Sequence, residues 1–473
     1  MSENMKNVRQ IIFDAIVHYR KIKNRGIVAV FQRDRFDMYS NFARIGEGSL
    51  GGKGRGLAFL DAMIKRNESL DKFENVQIAI PRTVVLCTDI FSDFMEMNQL
   101  YPIALSDIPD EEILAHFLKA RLPQKLLADL YAFLGAVSKP IAVRSSSLLE
   151  DSHYQPFAGV YSTYMVPFDA NSKTHTLQMI TEAIKAVYAS VFYRDSKTYM
   201  AATKNLIDEE KMAIVLQEIC GSAYENRYYP SFSGVARSLN YYPIGNEKPE
   251  DGIANIAMGL GKYIVDGGKT LRFSPAYPNN VLQTSTLEFM LSETQTFFNA
   301  LDLNMVQFVP QVDDGFNLLR INVQDAIKDG TLQYLASTYN VSDQMVYDGL
   351  YEGGRKIITF ANILQHNVFP LAELLREILR IAQEGMGRPV EIEFAVNLDY
   401  SAKKQHSFYL LQVRPIVDNK EIINEDISAI PEEETIVHSS NALGNGNMTD
   451  IYDLIYVKQE AFNGSNNRLI MYD

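Results

Sequence analysis

The sequence predicts a mixed α+β protein, and three kinds of stretch predict it. Short apolar runs of β-type composition recur, at 141–143, at 211–219 (KMAIVLQEI) and in the alternating segments 389–396 (PVEIEFAV) and 408–416 (FYLLQVRPI). Apolar residues at helical spacing lie between them: Leu57, Leu60, Met63 and Ile64; Leu177, Ile180, Ile184, Val187, Tyr188 and Val191; Leu371, Leu374, Leu375 and Ile378. Small-residue turns flanked by strand-like runs complete the pattern, at 232–236 (FSGVA) and 258–269 (MGLGKYIVDGGK).

The bulk properties bound the function. A chain of 473 residues suits about three domains, or two large ones. Its 47% hydrophobic and 22% charged content is that of an ordinary globular chain. A net charge of −13 argues against a protein that coats nucleic acid or an anionic membrane, and no such partner is expected. A local cluster of cations could still hold an anionic nucleotide. Cys87 and Cys220 sit in apolar runs and are expected to be buried, reduced thiols. MSENMKNVRQ at the start lacks an apolar core, and no run of about 18 apolar residues occurs, so a cytoplasmic protein is expected.

Residues 1–40 carry a helix-like pattern (Val8, Ile11, Ile12, Ala15, Ile16) and then a strand-like run at 27–31, a lead-in segment ahead of the first glycine-rich stretch. Residues 44–64, RIGEGSLGGKGRGLAFLDAMI, place glycines before an apolar helical face. The glycines open a helix whose N-terminus can hold an anion, with Lys53 in the loop. This is no P-loop: the first position of that pattern falls on Glu47, and Gly54 stands where Ser or Thr is needed. GEGSLG fits GxGxxG, but no βαβ unit with an acidic partner surrounds it. A flexible Gly-rich loop carrying one lysine over phosphates is the preferred reading, and a plain helix-entry turn the alternative. Residues 111–134 give two short amphipathic helices, expected as core faces.

In 141–164 an apolar strand delivers Arg144 onto Ser145, Ser146 and Ser147. Glu150 and Asp151 come next, and the stretch closes on Ala158, Gly159, Ser162 and Thr163. Hydroxyls, backbone N–H groups and a guanidinium make a phosphate cradle, with an ordinary strand end and polar loop as the alternative. Gln217 and Glu218 end the strand-like run at 211–219, where an adenine edge could find partners.

The two alternating segments near 400 suggest a metal site. Glu391 and Glu393 face one way, and Gln412 and Arg414 share one face of the next strand. The polar connection LDYSAKKQHS suits a hairpin. Paired, the strands would gather two carboxylates, an amide oxygen and a guanidinium on one polar face. Mg²⁺ takes hard oxygen ligands, and an arginine neutralises charge on a transferring phosphoryl group. A plain solvated sheet face is the alternative.

VRSSSLLED with FAG after it resembles the signature of the ATP-binding domain shared by phosphoenolpyruvate synthase, pyruvate phosphate dikinase and rifampin phosphotransferase. GGKG, IPRTVVL, the SGV and GLG turns, EIE and Q-x-R-P are similar to the family's other elements, in order, across 44–416. Lys262 stands after GLG where the family carries an acid, and Glu391 where aspartate is usual. The resemblance implies an ATP-grasp-like fold in which two α+β lobes, 41–220 and 221–417, clamp Mg-ATP. It implies nucleotide contacts from Lys53, Arg144, Gly159, Thr163 and Gln217, and phosphate contact from Arg414. It implies metal ligation by Glu393 and Gln412, with Glu391 beside them. Lys53, Arg144 and Arg414 would carry catalysis by positioning and charge stabilisation. Residues 276–385 exceed what separates these motifs and are expected to be an inserted helical region without chemistry.

In the family, phosphoryl passes from ATP to a histidine on a swivelling domain and then to an acceptor such as pyruvate. None of the seven histidines here has the carrier context, and no later αβ repeat has TIM-barrel length. Residues 418–435 are an acidic connector, and ALGNGNMTDIYDLIYVK looks like the start of a further, truncated domain. The expected function is a Mg-ATP-binding, phosphoryl-donating domain, with a phosphohistidine carrier in cis or in trans and a pyruvate-like acceptor. The alternatives are a nucleotide sensor that kept the clamp, and a rifampin-phosphotransferase-like enzyme with another acceptor.

Overall fold

The computed structural model describes residues 28–33, 41–147, 160–202, 210–304, 307–401 and 405–416, together with 431, 434–436 and 452–453. Residues up to Val417 form one compact unit and Asp418–Asp473 a second. The fold of the first unit is mixed α/β, built on several sheets.

The first sheet has six strands, in the order Ala29–Val30, Phe42–Ile45, Thr83–Leu86, Ala213–Glu218, Ile141–Ser146 and Thr163–Val166. The first three run parallel and the remaining pairs antiparallel. The second sheet also has six, in the order Leu271–Phe273, Ile253–Met258, Phe232–Arg237, Val390–Asn397, His406–Pro415 and Val76–Ala79. Its pairs are antiparallel except the last. Val76–Ala79 thus lies in the second sheet although it precedes residue 220, so the sheets do not divide where the expected lobe boundary falls.

The central strand Ala213–Glu218 explains how two cores share one sheet. Successive side chains point to opposite faces. Ala213 and Val215 enter one core, and Ile214 and Leu216 the other. A strand covered on both faces has no polar side, which is why this run is continuously apolar. On one side, helices Thr88–Met97, Asp110–Lys119, Gln124–Phe133 and Lys173–Ser190 bring Phe91, Phe94, Phe117, Phe133 and Tyr188 together. Phe91 and Tyr188 meet edge to face, with ring centroids 5.0 Å apart. Each such buried ring contributes on the order of 1.5–3 kcal/mol. On the other side, helices Gly51–Arg66 and Leu371–Met386 pack with the apolar face of the second sheet, through Leu57, Leu60, Leu374, Ile378, Ile392 and Phe408.

The stretch 276–385 is not a helical insertion. Leu371–Met386 is its one long helix among the described residues, and it also contributes five strands. Phe297–Asp302 and Leu318–Asn322 join Arg227–Tyr229 and Ser222–Tyr224 in a four-stranded sheet. Ala336–Asn340, Met345–Asp348 and Arg355–Ile358 form a three-stranded one. The physical reason is local: the FFNALD and LLRIN runs are short and apolar, and they bury Phe298, Ala300 and Leu301 by pairing.

Cys87 and Cys220 are free and buried, and burial pushes both thiols above the ordinary cysteine value. Among the described residues no helix is long and apolar enough to cross a membrane.

Candidate active site

Helix Gly51–Arg66 is the first component. Gly51 has φ +68°, and a Cβ there would lie 1.8 Å from the Ser146 carbonyl oxygen. Gly56 lies against the second sheet, where a Cβ would come within 2.7 Å of the Val413 oxygen. The glycines therefore let one helix touch both sheets, a use different from a flexible loop over phosphates. Lys53 is correspondingly in the first turn of the helix rather than in a loop. The helix start is also less open to an anion than its composition suggests. The Gly52 amide donates to the Ser147 oxygen at 2.9 Å and the Gly54 amide to Ser146 Oγ at 3.0 Å. Ser146 Oγ in turn donates to the Leu50 oxygen at 2.8 Å, so this hydroxyl ties helix to strand.

The preceding GEGS segment is equally committed. Asp89 accepts the Glu47 and Gly48 amides at 2.9 and 3.0 Å, and Thr88 Oγ1 accepts the Ser49 amide at 2.9 Å. Amides spent in this way are not a dinucleotide cradle, and the GxGxxG match carries no such site.

Arg144 is the centre of the arrangement. It projects from Ile141–Ser146 in the first sheet and reaches the second. Its Nη1 donates to Gln217 Oε1 at 3.2 Å and to the Leu411 oxygen at 3.1 Å. Its Nη2 donates to Glu393 Oε2 at 3.0 Å and to Gln412 Oε1 at 2.8 Å. A planar guanidinium offers these donors in one fork, which a lysine could not. The carbonyl of Leu411 is available because the hairpin is irregular there: Glu393 pairs with Gln412, but Phe394 pairs with Leu410. The extra residue breaks the ladder locally, as bulges next to functional sites do. From the helix, Lys53 places its Nζ 3.3 Å from Ser145 Oγ, on the residue after Arg144.

Gln217, expected as an adenine contact, is tied to this centre. It is 2% exposed, accepts from Arg144, and donates through Nε2 to Thr83 Oγ1 at 3.3 Å. Its amide oxygen holds Arg144, and its amide nitrogen is anchored on Thr83.

Glu391 and Arg414 lie opposite one another on the hairpin, as do Glu393 and Gln412. Glu391 is buried, and each of its oxygens has an arginine. Oε1 accepts from Arg414 Nε at 2.7 Å, and Oε2 from Arg237 Nε at 2.5 Å. Arg237 was not legible as a site residue, because only the placement of Phe232–Arg237 beside Val390–Asn397 brings it there.

Thr163 starts the edge strand beside Arg144. Its amide donates to Asp314 Oδ2 at 2.7 Å, and Asp314 Oδ1 lies 3.1 Å from Lys262 Nζ. Lys262 is thereby used to pair with Asp314. Burial alone would lower its pKa, but Asp314 and Asp266 outweigh it and hold the ammonium above the ordinary lysine value. Gly159, with Glu150 and Asp151, lies outside the described residues.

The donor set suits a hard cation in part. Glu393 and Gln412 direct one carboxylate oxygen and one amide oxygen at the same cationic nitrogen, Arg144 Nη2. Two such oxygens leave room for phosphate and water, the usual company of Mg²⁺. No group of three or more His, Cys, Asp or Glu that could hold a metal alone occurs among the described residues. Glu391 differs from Glu393, of which only Oε2 accepts from a guanidinium among the described residues, because both its own oxygens are so engaged.

The comparisons agree with this reading of the motifs. The family described as the pyruvate phosphate dikinase AMP/ATP-binding domain matches residues 47–435. The chain is 24% identical over 371 residues to YvkC, an uncharacterized phosphotransferase of Bacillus subtilis, covering 78% of this chain and 34% of that one. It is 25% identical over 348 residues to a phosphoenolpyruvate synthase of Aeropyrum pernix, covering 71% and 36%. A probable phosphoenolpyruvate synthase of Pyrococcus horikoshii is 24% identical over 319 residues, covering 66% and 30%. The chain spans about a third of the length of these curated relatives. With most of its length matched, the chain belongs to the family of the pyruvate phosphate dikinase AMP/ATP-binding domain.

Proposed function

We propose that residues up to 417 are an ATP-grasp-like module that binds Mg-ATP and donates a phosphoryl group, as part of a phosphoenolpyruvate synthase-like phosphotransferase. The observation that carries this reading is the fork of Arg144, which reaches Gln217 in one sheet and Leu411, Glu393 and Gln412 in the other. Lys53, Arg144 and Arg414 supply cations to the triphosphate. Glu393 and Gln412 would hold Mg²⁺, which when bound neutralises charge on the bridging phosphate oxygens. The residues otherwise act by positioning, and none of them is a nucleophile. The phosphoryl group passes in line to a histidine of a carrier domain, in cis or in trans, and from it to a pyruvate-like acceptor. The same arrangement would serve an acceptor of another class, as in rifampin phosphotransferase.

Two readouts test this. Mg-ATP should raise the melting temperature of the protein, and Lys53→Ala with Arg144→Ala should remove the shift. Incubation with labelled ATP and a carrier domain should then give acid-labile phosphohistidine on the carrier. ATP binding without any phosphohistidine would favour a nucleotide sensor over an enzyme.

A further inference from the structure

Three strands of the second sheet put three charges in one row. Arg237 on Phe232–Arg237 is opposite Glu391 on Val390–Asn397, which is opposite Arg414 on His406–Pro415. The contacts show that the side chains share a face, with Glu391 accepting from both arginines. The next row along holds Val235, Glu393 and Gln412. Two residues of strand separate the rows by about 7 Å.

The charges of the first row do not cancel. One buried carboxylate faces two guanidinium groups, so the row is net positive in a chain of net charge −13. Glu391 is 5% exposed, whereas the Arg237 side chain is 43% exposed. Arg237 uses only Nε on Glu391, and among the described residues its terminal nitrogens make no other hydrogen bond. Such a nitrogen pair is the part of a guanidinium that takes a phosphate in bidentate fashion.

Resting on the nucleotide-binding reading above, we infer that Arg237 is a third phosphate-binding arginine beside Arg144 and Arg414, and that Glu391 is a positioning residue that aims Arg237 and Arg414 together, not a metal ligand. The pair takes the phosphate end of the nucleotide, one row from the Glu393–Gln412 oxygens. A salt bridge between exposed groups would not be built around a buried carboxylate whose two oxygens are shared out to two strands. The ligand class is a polyphosphate, so affinity should depend on the number of phosphates.

The test is calorimetric titration of the full chain with adenosine, ADP, ATP and inorganic tripolyphosphate, each with Mg²⁺. Arg237→Ala should weaken ATP and tripolyphosphate by roughly 10-fold or more, the usual worth of a charged hydrogen bond, and leave adenosine unchanged. Arg237→Lys should recover part of the loss. Glu391→Gln should weaken the same ligands without raising the Mg²⁺ concentration needed, whereas Glu393→Gln should raise it. If the parent binds ATP and Arg237→Ala binds it equally well, the inference is overturned while the nucleotide-binding reading stands. Equal losses for adenosine and ATP overturn it too, because they mean damage to the fold. A parent that binds neither ATP nor tripolyphosphate overturns both.

Discussion

Arg144 and Gln412 are 268 positions apart in the chain and meet at 2.8 Å, joining one six-stranded sheet to the other. The same guanidinium is only 12% exposed and also holds Glu393, Gln217 and the Leu411 carbonyl. Arg144→Lys keeps the charge and loses the fork. It should cost about 1–3 kcal/mol, because the buried amide oxygens of Gln217 and Gln412 lose a charged donor. Chemical denaturation measures the loss, and ATP affinity should fall with it.

Gly51 and Gly56 are contact surfaces. Gly51→Ala places a methyl group inside the Ser146 carbonyl at a left-handed φ of +68°. It should cost about 3 kcal/mol or more, since neither strand nor helix can yield cheaply. Gly56→Ala meets the Val413 carbonyl and should cost about 1–3 kcal/mol by overpacking. Thermal melts of the two variants should rank them in that order.

Glu393→Gln removes the carboxylate charge while keeping an oxygen at the site. Apparent Mg²⁺ affinity in the presence of ATP should fall by at least the roughly 10–100-fold that loss of a supporting group costs at metal sites. Adenosine binding measured without metal should not change.

Lys262 gives a pH prediction. Its pKa is raised in the folded protein by Asp314 and Asp266 against the opposing effect of burial. A raised value means the folded state holds this proton more tightly than the unfolded chain. The contribution is therefore full below the ordinary lysine value and is lost as pH climbs through the higher folded one. Lys262→Met should lower stability by about 0.5–1 kcal/mol at neutral pH, with the difference from the parent vanishing in strong alkali. Lys262→Glu should cost more, because it faces Asp314 with a like charge.

The parts legible in the sequence were those governed by local periodicity. Glu391, Glu393, Gln412 and Arg414 share a face because strands alternate, and the hairpin pairs them as the spacing implies. Leu57, Leu60 and Met63 are buried on the helix where their spacing places them. What was not legible depends on which strands become neighbours. Arg237 reaches Glu391 only because Phe232–Arg237 pairs with a strand about 150 residues later. The use of the glycines as a packing face likewise depends on Ser146 and Val413, which no local pattern connects to them. The strands within 276–385 were missed because short apolar runs do not distinguish strand from helix.

Titration of the full chain with Mg-ATP by isothermal calorimetry tests the central claim most directly, beside the double variant Lys53→Ala, Arg144→Ala. One saturable site in the parent, lost in the double variant while both keep the same circular dichroism spectrum, is the predicted result. No heat of binding in the parent, or equal binding by the double variant, would contradict it.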